Sequence, residues 1–177
     1  NKNNCLEIGF GGGRLLVPAS RDFAKIYGVD IHNSFNKTSE YLALNKVSNY
    51  QLLNREKLKD LPDHSINFIF TYIVFQHFDS FAEVNYYLEE IKRLLAPGGY
   101  CHIFYAKSDK EEIKEVNPRI FEKRRRSLFI NPEFFWKHLS DKGFNIVSYA
   151  DILPDDPERP RIKYDKKSQA KILFQLK

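Results

Sequence analysis

The segment Cys5–Leu16, CLEIGFGGGRLL, places four glycines within five residues, directly after a short apolar run. An amphipathic stretch follows the glycines. A strand, a glycine-rich turn and a helix in this order gather backbone N–H groups and the positive end of a helix dipole at one point. The segment therefore predicts a ligand-binding loop at the carboxyl end of the first strand of an α/β domain.

The spacing of these glycines restricts the ligand. A P-loop requires Gly-Lys-Ser/Thr at its end, whereas Gly13 is followed by Arg14. The dinucleotide pattern Gly-x-Gly-x-x-Gly also fails, because Arg14 occupies the third glycine position. The spacing present is Gly9-x-Gly11-x-Gly13, with Glu7 two residues before it. An acid at this point repels a pyrophosphate and suits a ligand with a cationic amine.

Two later apolar runs carry polar side chains that indicate further groups of this ligand. The second run contains Asp30, about 20 residues after the glycines, where a carboxylate accepts both hydroxyls of a ribose. The third run ends at Asn54, whose amide can pair with the edge of an adenine. Ile31 and Arg55, which directly follow these two residues, are assigned to the same site. The positions together suit an adenosine that has no phosphate and carries an amino-acid tail.

Apolar runs alternate with amphipathic stretches along the chain, which predicts βαβ units and a mostly parallel sheet. The predicted strands are 5–10, 27–32, 50–54, 66–72, 99–106, 144–150 and 170–176. The predicted helices are 13–26, 36–46, 80–95 and 132–142. Ser80 and Glu83 form a capping-box pattern at the start of the third helix, and the run Pro97–Gly99 is placed to end it.

The composition of the 177 residues is that of one globular domain, with a net charge of +5 that comes from the last third of the chain. No window approaches the roughly 18 apolar residues that a membrane helix needs. Cys5 and Cys101 lie in strand-like runs and are expected to be buried apolar side chains, which favours a cytoplasmic location. No metal site is predicted, because carboxylates do not cluster and four of the histidines are scattered: His32, His64, His102 and His138.

Four segments over residues 5–106 resemble, in order and spacing, the motifs of class I S-adenosylmethionine-dependent methyltransferases. They are LEIGFGGGR, GVDI, LPDHSINFIFTYIVFQHF and EEIKRLLAPGGY. The resemblance implies a Rossmann-like, doubly wound α/β sheet of seven strands in the order 3-2-1-4-5-7-6, with an antiparallel last strand and helices on both faces. It implies S-adenosylmethionine as cofactor and S-adenosylhomocysteine as product.

The resemblance also implies roles for individual residues. Asp30 holds the ribose, and the methionine half of the cofactor is lined by Glu7, Gly9, Gly11 and Gly13. Tyr72 and Phe75, which follow the fourth strand, are assigned to the edge of the cofactor, with core packing as the alternative for Phe75. The family usually has Asp at the positions of Asn54 and Asn67. We expect one methyltransferase domain over 1–177, without the helical segment that often precedes the first strand.

His77 is the candidate catalytic residue. It lies in the loop after the fourth strand, and an imidazole with an ordinary pKa of about 6.5 suits proton abstraction near neutrality. A histidine bonded to backbone is the alternative. Residues 107–130 are predicted to be a substrate lid, in which basic side chains can bind an anionic acceptor; the candidates are Arg119, Arg124 and Arg125. A solvated helix face is the alternative for these arginines.

These inferences predict a cytoplasmic methyltransferase that acts on an oxygen of a small polar acceptor, such as a sugar or a phosphorylated sugar. RNA methylation is an alternative that the pI of about 9.1 suggests. It is disfavoured because the positive excess is small and no platform of basic and aromatic residues is evident. A catalytically silent binding module is the other alternative, against which the glycine loop, Asp30 and His77 argue. The oligomeric state is left open.

Overall fold

A computed structural model describes residues 3–107, 114–115, 128–152 and 169–176. The strands are β1 (Asn4–Ile8), β2 (Lys25–Asp30), β3 (Tyr50–Asn54), β4 (Ile66–Thr71), β5 (Leu95–Lys107), β6 (Lys114–Glu115), β7 (Leu128–Ile130), β8 (Phe144–Ile152) and β9 (Gln169–Leu176). The α-helices are α1 (Leu16–Asp22), α2 (Phe35–Leu44), α3 (Phe81–Leu94) and α4 (Pro132–Asp141). Two short 3-10 helices span Arg55–Asp60 and Phe75–His77.

The hydrogen-bonded strand order is β3-β2-β1-β4-β5, and β9 then pairs with both β5 and β8. The pairs β1–β2, β1–β4 and β2–β3 are parallel. This is the predicted order 3-2-1-4-5-7-6 with antiparallel pairing at its end, and the predicted fold class is confirmed. Short strands β7 and β6, which lie outside every predicted strand, also join the sheet beside the end of β5.

The chain forms two compact units. The described residues of the first belong mainly to Asn1–Thr71 and Leu88–Cys101, and those of the second to Tyr72–Tyr87 and His102–Gln175. In the first unit, β1 is central and its apolar side chains are fully buried, as expected for a parallel strand covered on both faces. Cys5 and Cys101 are buried free thiols, which confirms the prediction that they behave as apolar side chains.

The helix after the glycine loop is shorter than its predicted range of 13–26. It begins at Leu16, because positive φ angles at Gly11 and Gly13 hold the preceding residues in turns. It ends at Asp22, and β2 starts three residues later. In this stretch Leu16 is fully buried, and Ala19 and Phe23 are partly buried against the same core.

Polar side chains fix the connections around β4 in the first unit. The Oδ1 atom of Asn67 accepts a hydrogen bond of 2.9 Å from the backbone N–H of Asn4, so this departure from the family pattern anchors the start of β1. His64 has a φ of 55°, and its Nδ1 lies 2.9 Å from the carbonyl oxygen of Leu95. Arg93 donates to the carbonyl of Leu61 at 2.7 Å. These bonds hold the segment that leads into β4.

The second unit contains α4 and the strands beyond the middle of β5. The Oδ1 atom of Asn131 accepts from the N–H of Phe134 at 3.0 Å, and Gly143 has a φ of 92°, which confirms the predicted start and end of this helix. At the start of α3, the Glu83 carboxylate accepts from the N–H of Asp79 at 3.0 Å. No helix among the described residues is long and apolar enough to cross a membrane.

Candidate cofactor site

The glycine loop leaves the carboxyl end of β1 in a conformation that depends on glycine. Gly9, Gly11 and Gly13 have φ angles of 79°, 50° and 80°, a region that other residues rarely adopt. The N–H of Gly9 donates to the carbonyl of Val29 at 2.7 Å, and the N–H of Gly13 donates to the carbonyl of Phe10 at 2.8 Å. The loop is therefore shaped by its own backbone and by the neighbouring strand β2.

The two faces of the loop differ in what surrounds them. A Cβ atom added to Gly13 would lie 2.8 Å from the Cγ2 atom of Thr38, so α2 packs tightly against the back of the loop. A Cβ atom at Gly11 or Gly12 would meet no described heavy atom within 4 Å. We call this side, at Gly11 and Gly12, the open face of the loop. A ligand can approach the backbone there without displacing protein atoms.

Replacing Gly13 by alanine is expected to lower the free energy of unfolding by about 1–3 kcal/mol, because the new methyl group meets Thr38 and the residue keeps a strained φ. Gly12→Ala is the matched control. Its φ is not positive and its Cβ points into open space, so a change of less than about 0.5 kcal/mol is expected. Urea denaturation of both variants measures this difference, and equal losses would contradict the assigned back and open faces.

Asp30 ends β2 and anchors the loop. Its Oδ2 atom accepts the N–H of Gly11 at 2.8 Å, and its Oδ1 atom accepts the N–H of Ile31 at 2.7 Å. The Oδ1 atom also accepts the N–H of His32 in a longer bond of 3.4 Å, so one of the roughly four acceptor positions of a carboxylate stays open, and a second ligand hydroxyl would replace this long bond. The side chain is 14% exposed, which keeps that capacity within reach of a ligand. Asp30 can therefore shape the loop and hold a ribose at the same time.

Glu7 is a buried acid in β1. It is 3% exposed, and its Oε2 atom has no hydrogen-bond partner among the described residues. The pKa of the Glu7 carboxyl is raised to about 8, mainly by burial and also by the charge of Asp30, while the charge of Arg14 acts in the opposite direction. A buried carboxyl oxygen without a partner raises the free energy of the folded state, and a cationic ligand group would offset that increase. This orphaned oxygen fits a cofactor that carries positive charge.

The residues predicted for the adenosine lie at the same edge of the first unit. Asn54 is the register partner of Asp30 across the β2–β3 pair, so their side chains leave neighbouring strand ends. Asn54 is exposed, and Arg55 begins the following 3-10 helix. Ile31 is 76% exposed, which leaves a large apolar side chain in solvent directly beside Asp30. The first unit thus brings together the predicted residues from Glu7 to Arg55.

The predicted residues after β4 belong to the second unit. Tyr72 is exposed and meets the ring of Phe104 edge-on, with 4.9 Å between centroids. Phe75 is fully buried, and its ring centroid lies 4.8 Å from that of Phe78. The packing alternative for Phe75 is therefore favoured, and its side chain is not available to a ligand. Any contact that Phe75 makes with a cofactor has to come from its backbone.

His77 ends the 3-10 helix after β4, and its side chain is exposed. The Nε2 atom of Gln76 lies 3.3 Å from the Nε2 atom of His77. The amide of Gln169, at the start of β9, donates to the Oε1 atom of Gln76 at 3.0 Å. This bond orients the Gln76 amide so that its NH₂ group can face the imidazole. The arrangement defines the position of His77 within the second unit.

His32 and Thr38 also contact the glycine loop, although no motif in the sequence marks either of them as a site residue. Both side chains contact the carbonyl oxygen of Gly11. Their positions depend on how α2 and the loop before it fold back onto the glycines, which no local pattern encodes. The predicted acceptor residues lie outside the described residues: Arg119, Arg124 and Arg125. Within the described ranges, no group of three or more His, Cys, Asp or Glu side chains is placed to hold a metal.

Residues 6–103 match the family model described as a methyltransferase domain, which is more than half of the chain. The chain belongs to this family. The resemblance to class I S-adenosylmethionine-dependent methyltransferases is confirmed, and with it the cofactor of this methyltransferase, S-adenosylmethionine. The open face of the loop and the orphaned oxygen of Glu7 fit this cofactor, because it presents both an ammonium and a sulfonium charge.

Solved structures share the fold of this methyltransferase. The cyclase SpnF superposes with a TM-score of 0.77 at 16% identity, over 99% of this chain and 76% of that protein. A methyltransferase from Methanosarcina mazei gives 0.74 at 18% identity, over 99% and 92%. DhpI in a complex with SAH gives 0.66 at 13%, over 98% and 76%. At these identities the likeness concerns the fold, and a cyclase among the matches shows that the fold leaves the reaction open. A sequence search of curated proteins found no match.

Proposed function

We propose that this methyltransferase transfers the methyl group of S-adenosylmethionine to an oxygen of a small polar acceptor, such as a sugar or a phosphorylated sugar. The observation that carries the proposal is the exposed imidazole of His77, placed by Gln76 directly after β4. A hydroxyl acceptor has to lose its proton during methyl transfer, and an imidazole at the end of a central strand is suited to take it.

The proposed cofactor site uses the residues of the first unit. The methionine half lies along the open face of the loop, next to the residues Glu7, Gly9, Gly11 and Gly13. Asp30 accepts the ribose hydroxyls, Asn54 pairs with the adenine edge, and the exposed side chain of Ile31 packs on the adenine ring. When bound, the cofactor supplies an activated methyl group on a sulfonium that is already a good leaving group. The protein's main contribution is then to align the acceptor.

The second unit supplies the proposed base. His77 accepts the acceptor's hydroxyl proton at Nε2, where the hydroxyl replaces the 3.3 Å contact of the Gln76 amide, and the exposed ring of Tyr72 contributes to the edge of the cofactor. We also propose that residues 107–130 form a lid over the substrate, and that basic side chains within it bind an anionic acceptor. Two buried free cysteines agree with a reducing compartment, so a cytoplasmic location also remains proposed.

The function is tested by incubating the purified protein with S-adenosylmethionine labelled in the methyl group and a panel of acceptors. The panel contains sugars, sugar phosphates, matched amines and RNA. We expect label in a hydroxyl of a small acceptor, identified by the chemical shift of the new O-methyl group. Transfer only to amines would contradict the base role, and transfer only to RNA, lost between about 50 and 200 mM salt, would favour the RNA alternative. Cofactor binding without transfer to any acceptor would favour the silent module.

A further inference from the structure

We propose that His32 is a positioning residue for the cofactor: it holds the carbonyl of Gly11 and so keeps the open face of the loop in its ligand-binding shape. The Nε2 atom of His32 lies 2.9 Å from the Gly11 oxygen. The hydroxyl of Thr38 donates to the same oxygen at 3.0 Å. The inference rests on the proposed cofactor site, although His32 itself belongs to none of the sequence motifs.

The hydrogen bonds of His32 determine its tautomer. The backbone N–H of Ser34 points to the Nδ1 atom of the ring at 3.0 Å, so Nδ1 is an acceptor and carries no proton. The ring proton is therefore on Nε2, which donates it to the carbonyl of Gly11. Both nitrogens are occupied by backbone groups. His32 has no polar atom left for a ligand, and its influence on the cofactor has to pass through the loop.

The peptide groups on either side of Gly11 are held from one direction. Its N–H is bound by Asp30, and its carbonyl is bound by His32 and Thr38. All three partners lie in the segment that runs from the end of β2 to the first turn of α2, behind the loop. Gly11 has a φ of 50° and no Cβ, so little else restrains its backbone. The three bonds constitute what we call the Gly11 clamp, formed by Asp30, His32 and Thr38.

Packing fixes the imidazole as well. The His32 ring meets Phe10 and Phe35 edge-on, with centroid separations of 5.0 and 5.3 Å. Removing the side chain would therefore remove two ring contacts together with two hydrogen bonds. Replacement by alanine cannot separate these effects, whereas two other variants can. His32→Phe keeps an aromatic ring and loses both hydrogen bonds, while His32→Gln keeps an N–H donor near the position of Nε2 and loses the ring.

The clamp is tested first without cofactor, by amide hydrogen exchange of the full chain resolved by NMR at Gly11 and Gly13. Loss of a hydrogen bond of ordinary strength predicts exchange about tenfold faster in His32→Phe, and within about threefold of the wild type in His32→Gln. Thr38→Val keeps a methyl group against Gly13 and removes the second donor, so acceleration of about threefold to tenfold is expected.

Calorimetry with S-adenosylhomocysteine then measures the cofactor dissociation constant, which should rise about tenfold in His32→Phe and return to within about threefold of wild type in His32→Gln. His64→Asn is the control, because this histidine also contacts a backbone carbonyl of the first unit but lies outside the loop. It should leave both readouts unchanged.

The opposite pattern, in which His32→Phe behaves as the wild type and His32→Gln does not, would overturn the clamp in favour of ring packing. Wild-type values in every variant would overturn it as well. If the wild-type chain failed to bind either form of the cofactor, the proposed function would fail, while the exchange rates at Gly11 and Gly13 would still decide the clamp.

Discussion

Replacing His77 by alanine is expected to lower kcat for a hydroxyl acceptor by about 10²–10⁴-fold, the usual contribution of general base catalysis. The dissociation constant of S-adenosylmethionine should stay within about twofold, because the proposed cofactor contacts come from other side chains. The side chain is exposed, so its truncation leaves no cavity and the folded state should persist. Single-turnover kinetics with saturating cofactor measure the chemical step directly.

The pH profile provides a second readout for His77. An imidazole accepts a proton only when it is neutral, so kcat/KM of the wild type should fall on acidification and His77→Ala should lose that acidic limb. His64→Asn, at a histidine bonded to the backbone of the first unit, is the control and should keep the wild-type profile. An unchanged kcat in His77→Ala would remove His77 as the base and leave it only a lining role.

The free energy of unfolding should fall as pH rises through the titration range of Glu7. The pKa of this carboxyl is raised from 4.5 to about 8 in the folded chain, so between these values the folded state binds the proton that the unfolded state has released. A single such group lowers stability by about 1.4 kcal/mol per pH unit in this window, and the loss levels off above it. The stability contribution is therefore fully present at low pH and is lost as pH rises through the folded pKa.

Glu7→Gln isolates this effect, because glutamine matches the protonated acid in shape and stays neutral. The difference in unfolding free energy between the variant and the wild type should grow with pH from about 4.5 to 8. Glu40→Gln, at an exposed glutamate in α2, is the matched control and should show no such trend. A wild type and a Glu7→Gln variant with parallel pH curves would show that Glu7 is already ionised in the folded protein.

The same variant should bind S-adenosylmethionine about 10–100-fold more weakly at pH 8, the usual cost of losing a charged hydrogen-bond partner. Wild-type binding at pH 6–7 should release a proton, because the cation stabilises the ionised form of Glu7. Calorimetry in buffers of different ionisation enthalpy counts that proton. Cofactor binding that neither releases a proton nor weakens in Glu7→Gln would exclude Glu7 from the site.

The fold was predictable where a local pattern coincided with a family motif. The Glu7-to-Gly13 spacing, a strand that carries Asp30 and the helix predicted at 132–142 follow from short-range chemistry, and the structure contains each of them. The first and last residues of helices and strands were harder to predict, because they depend on contacts with neighbouring elements. The helix predicted at 13–26 is shorter at both ends. It begins later because the glycine loop forms turns, and it ends earlier because β2 pairs with β1 and β3.

In the candidate site, only the residues that belong to a sequence motif could be predicted. The residues that a motif marks were found, but His32 follows Asp30 by two residues and carries no pattern that separates it from a surface histidine. Its role exists only after the start of α2 returns to the back of the loop and presents Thr38 to Gly11. Asn67 illustrates the same limit, since its partner is the backbone of Asn4, 63 residues away.

The position of β9 between β5 and β8 has a consequence for how the chain is made. Both neighbours precede it in sequence, so during synthesis their edges remain unpaired until residues 169–176 leave the ribosome. Unpaired edges of apolar strands attract one another between molecules, and pairing that must wait for distant residues is slow. A nascent chain stalled before Gln169 would therefore expose two unpaired, aggregation-prone strand edges. We expect chaperone binding to prevent aggregation most effectively in that interval.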